Sequence, residues 1–97
     1  MKEISDFEFD EVIKQGMVLV FFSAAWCAPC KDMAKLLANV KTASVVKIDV
    51  GKNPKVSVQL GISMLPSFFL YKSGRLVNKH CGTLTKKSLD AFLSLAV

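Results

Sequence analysis

Two of the three cysteines in this 97-residue chain have a spacing that could do chemistry. Cys27 and Cys30 are separated by two residues, whereas Cys81 lies far along the chain. In a reducing compartment, such a close pair more often indicates redox chemistry or metal binding than a structural crosslink. The pair also follows a strongly apolar run, 17–22, and lies where a helix is predicted to begin. This context favours the redox interpretation.

The predicted position of Cys27, at the N-terminus of a helix, favours ionisation of its thiol. Unpaired backbone N–H groups and the helix dipole stabilise an anion there. A cysteine with a pKa of about 8.5 is only a few per cent thiolate at neutral pH, whereas one with a pKa of about 7 is half thiolate. Cys30 lies one helical turn further on, which puts both sulfurs on one side of the helix, and Pro29 fixes the backbone between them. We therefore expect Cys27 to attack a disulfide and Cys30 to resolve the mixed disulfide.

Alternating strands and helices are predicted to position this pair. The run 17–22 is apolar on both faces, which is typical of a central strand in an α/β sheet. The order β-α-β-α-β-α-β-β-α predicts one domain, residues 1–97, with a mostly parallel sheet, helices on both faces and an antiparallel hairpin at the edge. The predicted strands cover 1–4, 17–22, 45–50, 67–71 and 76–81, with a hairpin turn at 72–75. The predicted helices follow a capping box of Ser5 and Glu8, the cysteine pair, an N-cap at Asn53 with Pro54 behind it, and an N-cap at Thr85.

Composition and charge exclude several classes of partner. The net charge is +5, and residues 51–97 carry seven Lys or Arg against a single acid, Asp90. Solubility is the favoured interpretation of this imbalance, ahead of a surface for a partner. Because the basic residues are spaced out and lack interleaved aromatic residues, we expect no nucleic-acid binding.

The N-terminal half predicts neither a membrane span nor a secretion signal. The longest apolar run, 17–22, is far shorter than the roughly 20 residues that cross a bilayer. Five acidic residues lie among the first eleven, where a signal peptide needs a basic and then an apolar segment. We therefore expect a cytoplasmic protein that does not associate with membranes.

The run Trp26-Cys27-Ala28-Pro29-Cys30-Lys31 resembles the active site of the thioredoxin family. The resemblance extends over essentially the whole chain, through Asn53-Pro54, the segment 61–67, Lys72-Ser73-Gly74 and Gly82. It implies a thioredoxin fold, with a central mixed sheet of about five strands flanked by helices on both faces. It also implies a monomeric thiol–disulfide oxidoreductase that needs no cofactor and binds no metal. Its partners would be protein disulfides and a thioredoxin reductase or an equivalent electron donor.

The resemblance also implies a substrate groove beside the cysteines. In the family, a proline at the position of Pro66 follows a cis peptide bond and lies against the cysteine pair. The backbone of Leu65 is then free to pair with an extended peptide, as in strand addition. The residues expected to line this groove are Trp26, Ala28, Pro29, Met64, Leu65, Pro66 and Gly82.

Four positions depart from the family pattern. Ala28 replaces the usual glycine, which predicts altered partner choice, and Ser23 replaces a frequent aromatic residue. The family keeps a buried aspartate six residues before the first cysteine and a buried lysine in the next strand. The same offsets give Phe21 and Val45 here, so both charges are expected to be missing together. An apolar surrounding would raise the pKa of Cys30 and slow the resolving step.

Two other functions are compatible with the sequence. Cys27, Cys30, His80 and Cys81 together resemble a set of metal ligands, although neighbouring strand residues such as His80 and Cys81 point to opposite faces. Alternatively, the chain is a thioredoxin-like protein-binding subunit that uses its basic C-terminal half. On the favoured interpretation, Cys81 is a small apolar residue packed in the sheet, and His80 faces solvent.

Overall fold

The computed structural model describes residues 1–94. A 3-10 turn, Asp6–Glu8, precedes the first helix, so the helix predicted to start at Ser5 is divided into two short parts. The strands are β1 (Lys2–Glu3), β2 (Met17–Ser23), β3 (Ser44–Asp49), β4 (Ser67–Lys72) and β5 (Arg75–Cys81). The helices are α1 (Phe9–Val12), α2 (Ala28–Leu37), α3 (Pro54–Gln59) and α4 (Lys86–Ser94). The predicted order of elements is confirmed.

The five strands form one mixed sheet in the order β1-β3-β2-β4-β5. β1 and β2 both pair with β3 in parallel, whereas β2 with β4 and β4 with β5 are antiparallel. The expectation of a mostly parallel sheet is therefore wrong. Since β2 is parallel to β3 and antiparallel to β4, β4 runs opposite to β3, and α3 lies in the connection between them.

Helices cover both faces of the sheet, and β2 lies at its centre. From Val18 to Ser23, every residue of β2 is buried. On one face, Phe21 packs in a core formed with α2 and α4; on the other, Phe22 packs in a core formed with α1 and α3. Because β2 is buried on both faces, the central strand predicted from the run 17–22 is confirmed.

The 3-10 turn after β1 is joined to the start of α3. The backbone N–H of Ser5 donates to Glu8 Oε1 at 2.9 Å, which completes the predicted capping box and lowers the pKa of Glu8. Both carboxylate oxygens of Asp6 accept amides of α3, those of Lys55 and Val56, at 3.0 Å each. Asn53 holds the N-cap position, but its side chain instead accepts the Asp6 N–H at 3.0 Å. Asn53 is therefore at the expected N-cap position, but the side chain that binds the first amides of α3 is that of Asp6.

The turns near the C-terminal half follow from their residue types. Ser73 and Gly74 have φ values of +51° and +89°, which suit the tight two-residue turn between β4 and β5. Thr85 caps α4 as predicted, since the Ser88 N–H donates to Thr85 Oγ1 at 3.1 Å. The Thr85 N–H donates in return to Ser88 Oγ at 2.8 Å.

Candidate active site

Cys27 and Cys30 are joined by a disulfide bond at the start of α2. Cys27 is the N-cap residue, with extended backbone angles, and its N–H donates to the Ala24 carbonyl at 3.1 Å. The two Cα atoms are 5.4 Å apart, and the residues are 7% and 4% exposed. The predicted pairing and its position at a helix N-terminus are both confirmed.

An open groove of about 460 Å³ lies on the Cys27 side of this disulfide. Trp26 forms one part of its wall and is 71% exposed, while Leu65 lies across from it before a cis Leu65–Pro66 peptide bond. The expected cis bond is thus present, and Pro66 is buried. The groove is lined by Trp26, Cys27, Val50, Ser57, Ile62, Ser63 and Leu65.

Five residues expected in the groove do not line this cavity, namely Ala28, Pro29, Met64, Pro66 and Gly82. Ala28 and Pro29 are exposed on the first turn of α2. Gly82 donates its N–H to the Pro66 carbonyl at 2.8 Å, and a Cβ built on Gly82 would lie 3.8 Å from Met64 Sδ. Met64 and Cys81 help to line a neighbouring cavity of about 230 Å³.

The Trp26 ring lies against Gly51, in the turn after β3. A Cβ built on Gly51 would be 2.7 Å from Trp26 Cζ3, which is closer than two such carbon atoms can approach. The same Cβ would be 3.2 Å from Asp49 Oδ1. The absence of a side chain at Gly51 therefore allows the position of Trp26 at the groove.

A second cavity, of about 250 Å³, lies on the Cys30 side of the disulfide. Charged residues from β1, β3 and α2 contribute to it, and Phe21 and Ser23 of β2 lie at its base. We call it the Cys30 pocket. It is lined by Glu3, Phe21, Ser23, Ala24, Ala25, Cys30, Lys31, Ala34, Lys47, Asp49 and Lys52.

Phe21 lies in the core that contains Cys30, and Val45 packs against that core, so neither of the two expected positions carries a charge. In the register of β2 with β3, Phe21 is paired with Lys47, and Val45 is paired with Leu19. Lys47 lies on the same face of β3 as Val45, but its side chain is 36% exposed, so it is not the buried lysine of the family pattern. Lys47 Nζ lies 3.5 Å from Glu3 Oε1.

The structure also revises both residues suggested as further metal ligands. Cys81 is exposed, so it is not the packed apolar residue expected in the sheet. His80 is half-buried, with its ring 6.3 Å from the Phe68 ring and 6.4 Å from the Phe92 ring, so it does not simply face solvent. In the register of β4 with β5, Cys81 pairs with Ser67 and His80 with Phe68. Neighbouring residues of this strand therefore point to opposite faces, as expected.

Two searches of residues 1–94 bear on other functions. No three or more His, Cys, Asp or Glu side chains in this range are grouped so that they could hold a metal ion. None of the described helices has the length and apolar character needed to cross a membrane.

The sequence patterns did not indicate Lys47, Asp49 or the groove residue Val50. One available signal was the end of β3, because the carboxyl ends of adjacent parallel strands lie at the same edge of a sheet. Because β2 leads directly to the cysteines, this rule would have placed the residues that end β3 near them.

A close cysteine pair that forms a disulfide at a helix N-terminus beside an open groove defines the class of thiol–disulfide exchange proteins. The thioredoxin family model matches residues 1–95. Thioredoxin of Listeria monocytogenes is 31% identical over 99 residues, covering 97% of this chain and 96% of that protein. Thioredoxin of Alicyclobacillus acidocaldarius is 37% identical over 97 residues, covering 94% and 92%.

Solved structures give the same result. A Plasmodium falciparum thioredoxin structure has a TM-score of 0.87 at 30% identity and covers 97% of each chain. A mutant thioredoxin from Halobacterium salinarum NRC-1 also has a TM-score of 0.87, at 28% identity, covering 99% of this chain and 90% of that one. The chain belongs to the thioredoxin family. It has the thioredoxin fold and is a thiol–disulfide oxidoreductase, as the sequence predicted.

Proposed function

We propose that this protein reduces protein disulfides, with Cys27 as the nucleophile and Cys30 as the resolving thiol. The Cys27 thiolate attacks one sulfur of the substrate disulfide, and the other sulfur leaves as a thiolate and takes up a proton. The Cys30 thiolate then attacks the Cys27 sulfur of the mixed disulfide. The substrate leaves with its second thiol reduced, and Cys27 and Cys30, which have given two electrons to the substrate, are joined in a disulfide.

One observation supports this division of roles. Cys27 lines the open groove and Cys30 does not, whereas Cys30 lines the pocket on the other side of the disulfide. A substrate peptide in the groove therefore meets Cys27 first. The N-cap position of Cys27 also places its sulfur where backbone N–H groups stabilise a thiolate.

The groove is suited to an extended peptide. Its wall combines the exposed Trp26 ring with apolar side chains such as Val50 and Leu65. In our proposal, the backbone of Leu65 pairs with the substrate on the N-terminal side of Pro66. Ala28, Pro29, Met64 and Gly82 are proposed to contact the substrate at the rim, outside the cavity itself.

The proposed cycle requires an electron donor to reopen the Cys27–Cys30 disulfide. A thioredoxin reductase, or an equivalent dithiol or flavin donor, would supply two electrons and two protons per turnover. We propose that this single domain works as a monomer in the cytoplasm, in electron transport and redox homeostasis. The reducing environment of that compartment favours the dithiol form.

The assignment is tested by trapping. Cys30→Ser, incubated with a disulfide-bonded protein, should accumulate a mixed disulfide through Cys27, detected as a mass increase that a reducing agent reverses. Cys27→Ser should neither form this adduct nor reduce insulin-type disulfides. In the reduced wild type, alkylation at mildly acidic pH should modify Cys27 first.

Two results would reject the proposal. If Cys30 or Cys81 were alkylated before Cys27, the roles of the cysteines would be wrong. If a Cys27→Ser/Cys30→Ser double variant retained full biological function, the protein would act as a binding subunit instead.

A further inference from the structure

The Cys30 pocket brings a carboxylate to the resolving cysteine from an unexpected strand. Asp49 is the last residue of β3, and its register partner in β2 is Ser23. Both lie on the face of the sheet that carries Phe21, and both line the pocket together with Cys30. The replacement of the usual aspartate by Phe21 therefore does not leave Cys30 without a nearby acid–base group.

Small side chains make this pocket accessible to water. Ser23 at the end of β2, Ala24 and Ala25 in the loop after it, and Ala34 of α2 all line the pocket. Each water occupies about 30 Å³ in the liquid, so a cavity of about 250 Å³ admits several. The hydroxyl of Ser23 and the charged groups of the pocket supply the polar partners that such water needs.

The charged groups of the pocket are not equivalent. Glu3 is held by two cations, with Lys47 Nζ at 3.5 Å and Lys52 Nζ at 3.7 Å from its carboxylate. Lys31, from α2, also lines the pocket. Asp49 takes part in no ion pair within 4.0 Å among residues 1–94.

The two oxygens of Asp49 differ in their partners. Oδ1 accepts the Gly51 N–H at 2.9 Å and the Lys52 N–H at 3.3 Å, which fixes the carboxylate in the turn after β3. Among the hydrogen bonds within the described residues, none involves Oδ2. A carboxylate that lines a cavity large enough for water, with one oxygen fixed by backbone amides and the other not bonded to protein, is able to accept a proton through water.

We propose that Asp49 is the proton acceptor for Cys30 during resolution of the mixed disulfide. This inference rests on the proposed function. The Cys30 thiol gives its proton to a water molecule, and that water gives a proton to Asp49 Oδ2. The Cys30 thiolate attacks the Cys27 sulfur, the bond from Cys27 to the substrate breaks, and the substrate leaves as a thiolate that takes a proton from solvent. Asp49 then returns its proton to solvent.

Position in the sheet explains why Asp49, and not Glu3, has this role. The register partner of Glu3 in β3 is Lys47, which precedes Asp49 by two residues. Asp49 lies at the carboxyl end of the strand, beside the end of β2 from which the chain continues to the cysteines. Lys47 and Lys52 remain close enough to favour the thiolate of Cys30 by their charge.

The test is stopped-flow resolution of a preformed mixed disulfide at Cys27, followed from acidic to alkaline pH. Asp49→Asn keeps the oxygen that accepts the Gly51 and Lys52 amides, so the turn should remain intact. We expect the rate constant near neutral pH to fall about tenfold to a hundredfold, as for loss of a general base. At alkaline pH, where Cys30 ionises without help, the two rates should converge. Attack by Cys27 on a small disulfide should be unchanged.

Two further variants make the result specific. Glu3→Gln removes the other carboxylate of the pocket and should resolve within about twofold of the wild-type rate, as expected for a residue that transfers no proton. Ser23→Leu fills the pocket without removing any charge and should reproduce the loss seen in Asp49→Asn, because it excludes water. Thermal unfolding of each variant checks that its fold is retained.

Several outcomes would overturn the inference. One is that Asp49→Asn resolves the mixed disulfide at the wild-type rate at neutral pH. Another is that the rate of Asp49→Asn is lowered by the same factor at every pH. The third is that Glu3→Gln lowers the rate as much as Asp49→Asn does. They are distinct from failure of the proposed function, in which wild-type protein itself would form no mixed disulfide through Cys27 or would not release it.

Discussion

The two sulfurs of one disulfide open onto cavities of opposite character. The groove on the Cys27 side has no Lys, Arg, Asp or Glu among the described residues that line it. The Cys30 pocket is lined by three lysines and two acids. These surroundings match the two chemical demands of the proposed cycle. Cys27 must accept a variable peptide, for which apolar contacts and backbone pairing are suited, whereas Cys30 must lose a proton.

In the proposed cycle, this difference allows the two steps to be altered separately. A change in the groove should alter which substrates reach Cys27, and a change in the pocket should alter how readily Cys30 ionises. Variants on either side should therefore affect one step and spare the other. Gly51 is close to both sides, since a Cβ built on it would lie 2.7 Å from Trp26 Cζ3 and 3.2 Å from Asp49 Oδ1.

The largest effect is expected when a carboxylate is introduced into the core beside the Cys30 pocket. Phe21 is 1% exposed, and its ring stacks on Phe68 at 5.4 Å. Phe21→Asp should lower the free energy of unfolding by about 4 kcal/mol, through lost packing and burial of a carboxylate. It should also speed resolution near neutral pH. The measurements are chemical denaturation and stopped-flow resolution.

Two controls for Phe21→Asp use the strand register. Phe21→Leu should cost only about 1 kcal/mol, which separates packing from charge. Adding Lys47→Met to Phe21→Asp should destabilise the protein further, because Lys47 is the cross-strand neighbour of position 21. If Val45→Lys stabilised Phe21→Asp and Lys47→Met had no effect, the electrostatic role given to the register would be wrong.

An intermediate effect is expected at the groove. Gly51→Ala places a methyl group where the Trp26 ring now lies, so the ring must move away from the turn. KM for a protein disulfide should rise about three- to tenfold, the equivalent of about 1 kcal/mol of lost contact. Reduction of a small aromatic disulfide, which does not fill the groove, should be nearly unchanged. Val58→Ala, at an exposed residue of α3, is the matched control. Equal loss with both substrates would mean that the groove does not select peptides.

The smallest effect is expected for the third thiol, Cys81, which lines neither the groove nor the Cys30 pocket. Cys81 is exposed and lies on the face of β5 opposite to His80. Cys81→Ser should leave reduction of insulin-type disulfides within about threefold of wild type, as for most surface substitutions. A loss of tenfold or more would give Cys81 a part in the exchange and would end the simple comparison of two sulfurs.

Much of the fold was predictable because its signals are local. The run 17–22 is apolar on both faces, and only a central strand buries both. Ser73-Gly74 provides the positive φ angles of a tight hairpin, and Thr85 is followed by a helix with one apolar face. The direction of β4 was not predictable in the same way, because it depends on the path of the whole connection 50–66 and not on any one residue type.

The site residues also fall into two groups, those that a sequence pattern identifies and those that only the pairing of strands brings together. Cys27, Cys30 and Pro66 were found because spacing and a family pattern identify them. Lys47 and Asp49 were missed because their nearness to Cys30 arises from the pairing of β2 with β3, which residue counting does not reveal.

The hydrogen bonds of the Asp6 carboxylate have a consequence for amide hydrogen exchange at the start of α3. The first amides of a helix have no partner within it and usually exchange quickly with solvent. In α3, the Lys55 and Val56 amides are instead bound by a side chain about fifty positions earlier in the chain. Their deuterium uptake therefore follows the detachment of the N-terminal segment and not the fraying of α3. Since α3 carries Ser57 of the groove wall, we expect this part of the wall to keep its position as long as the N-terminal segment is bound.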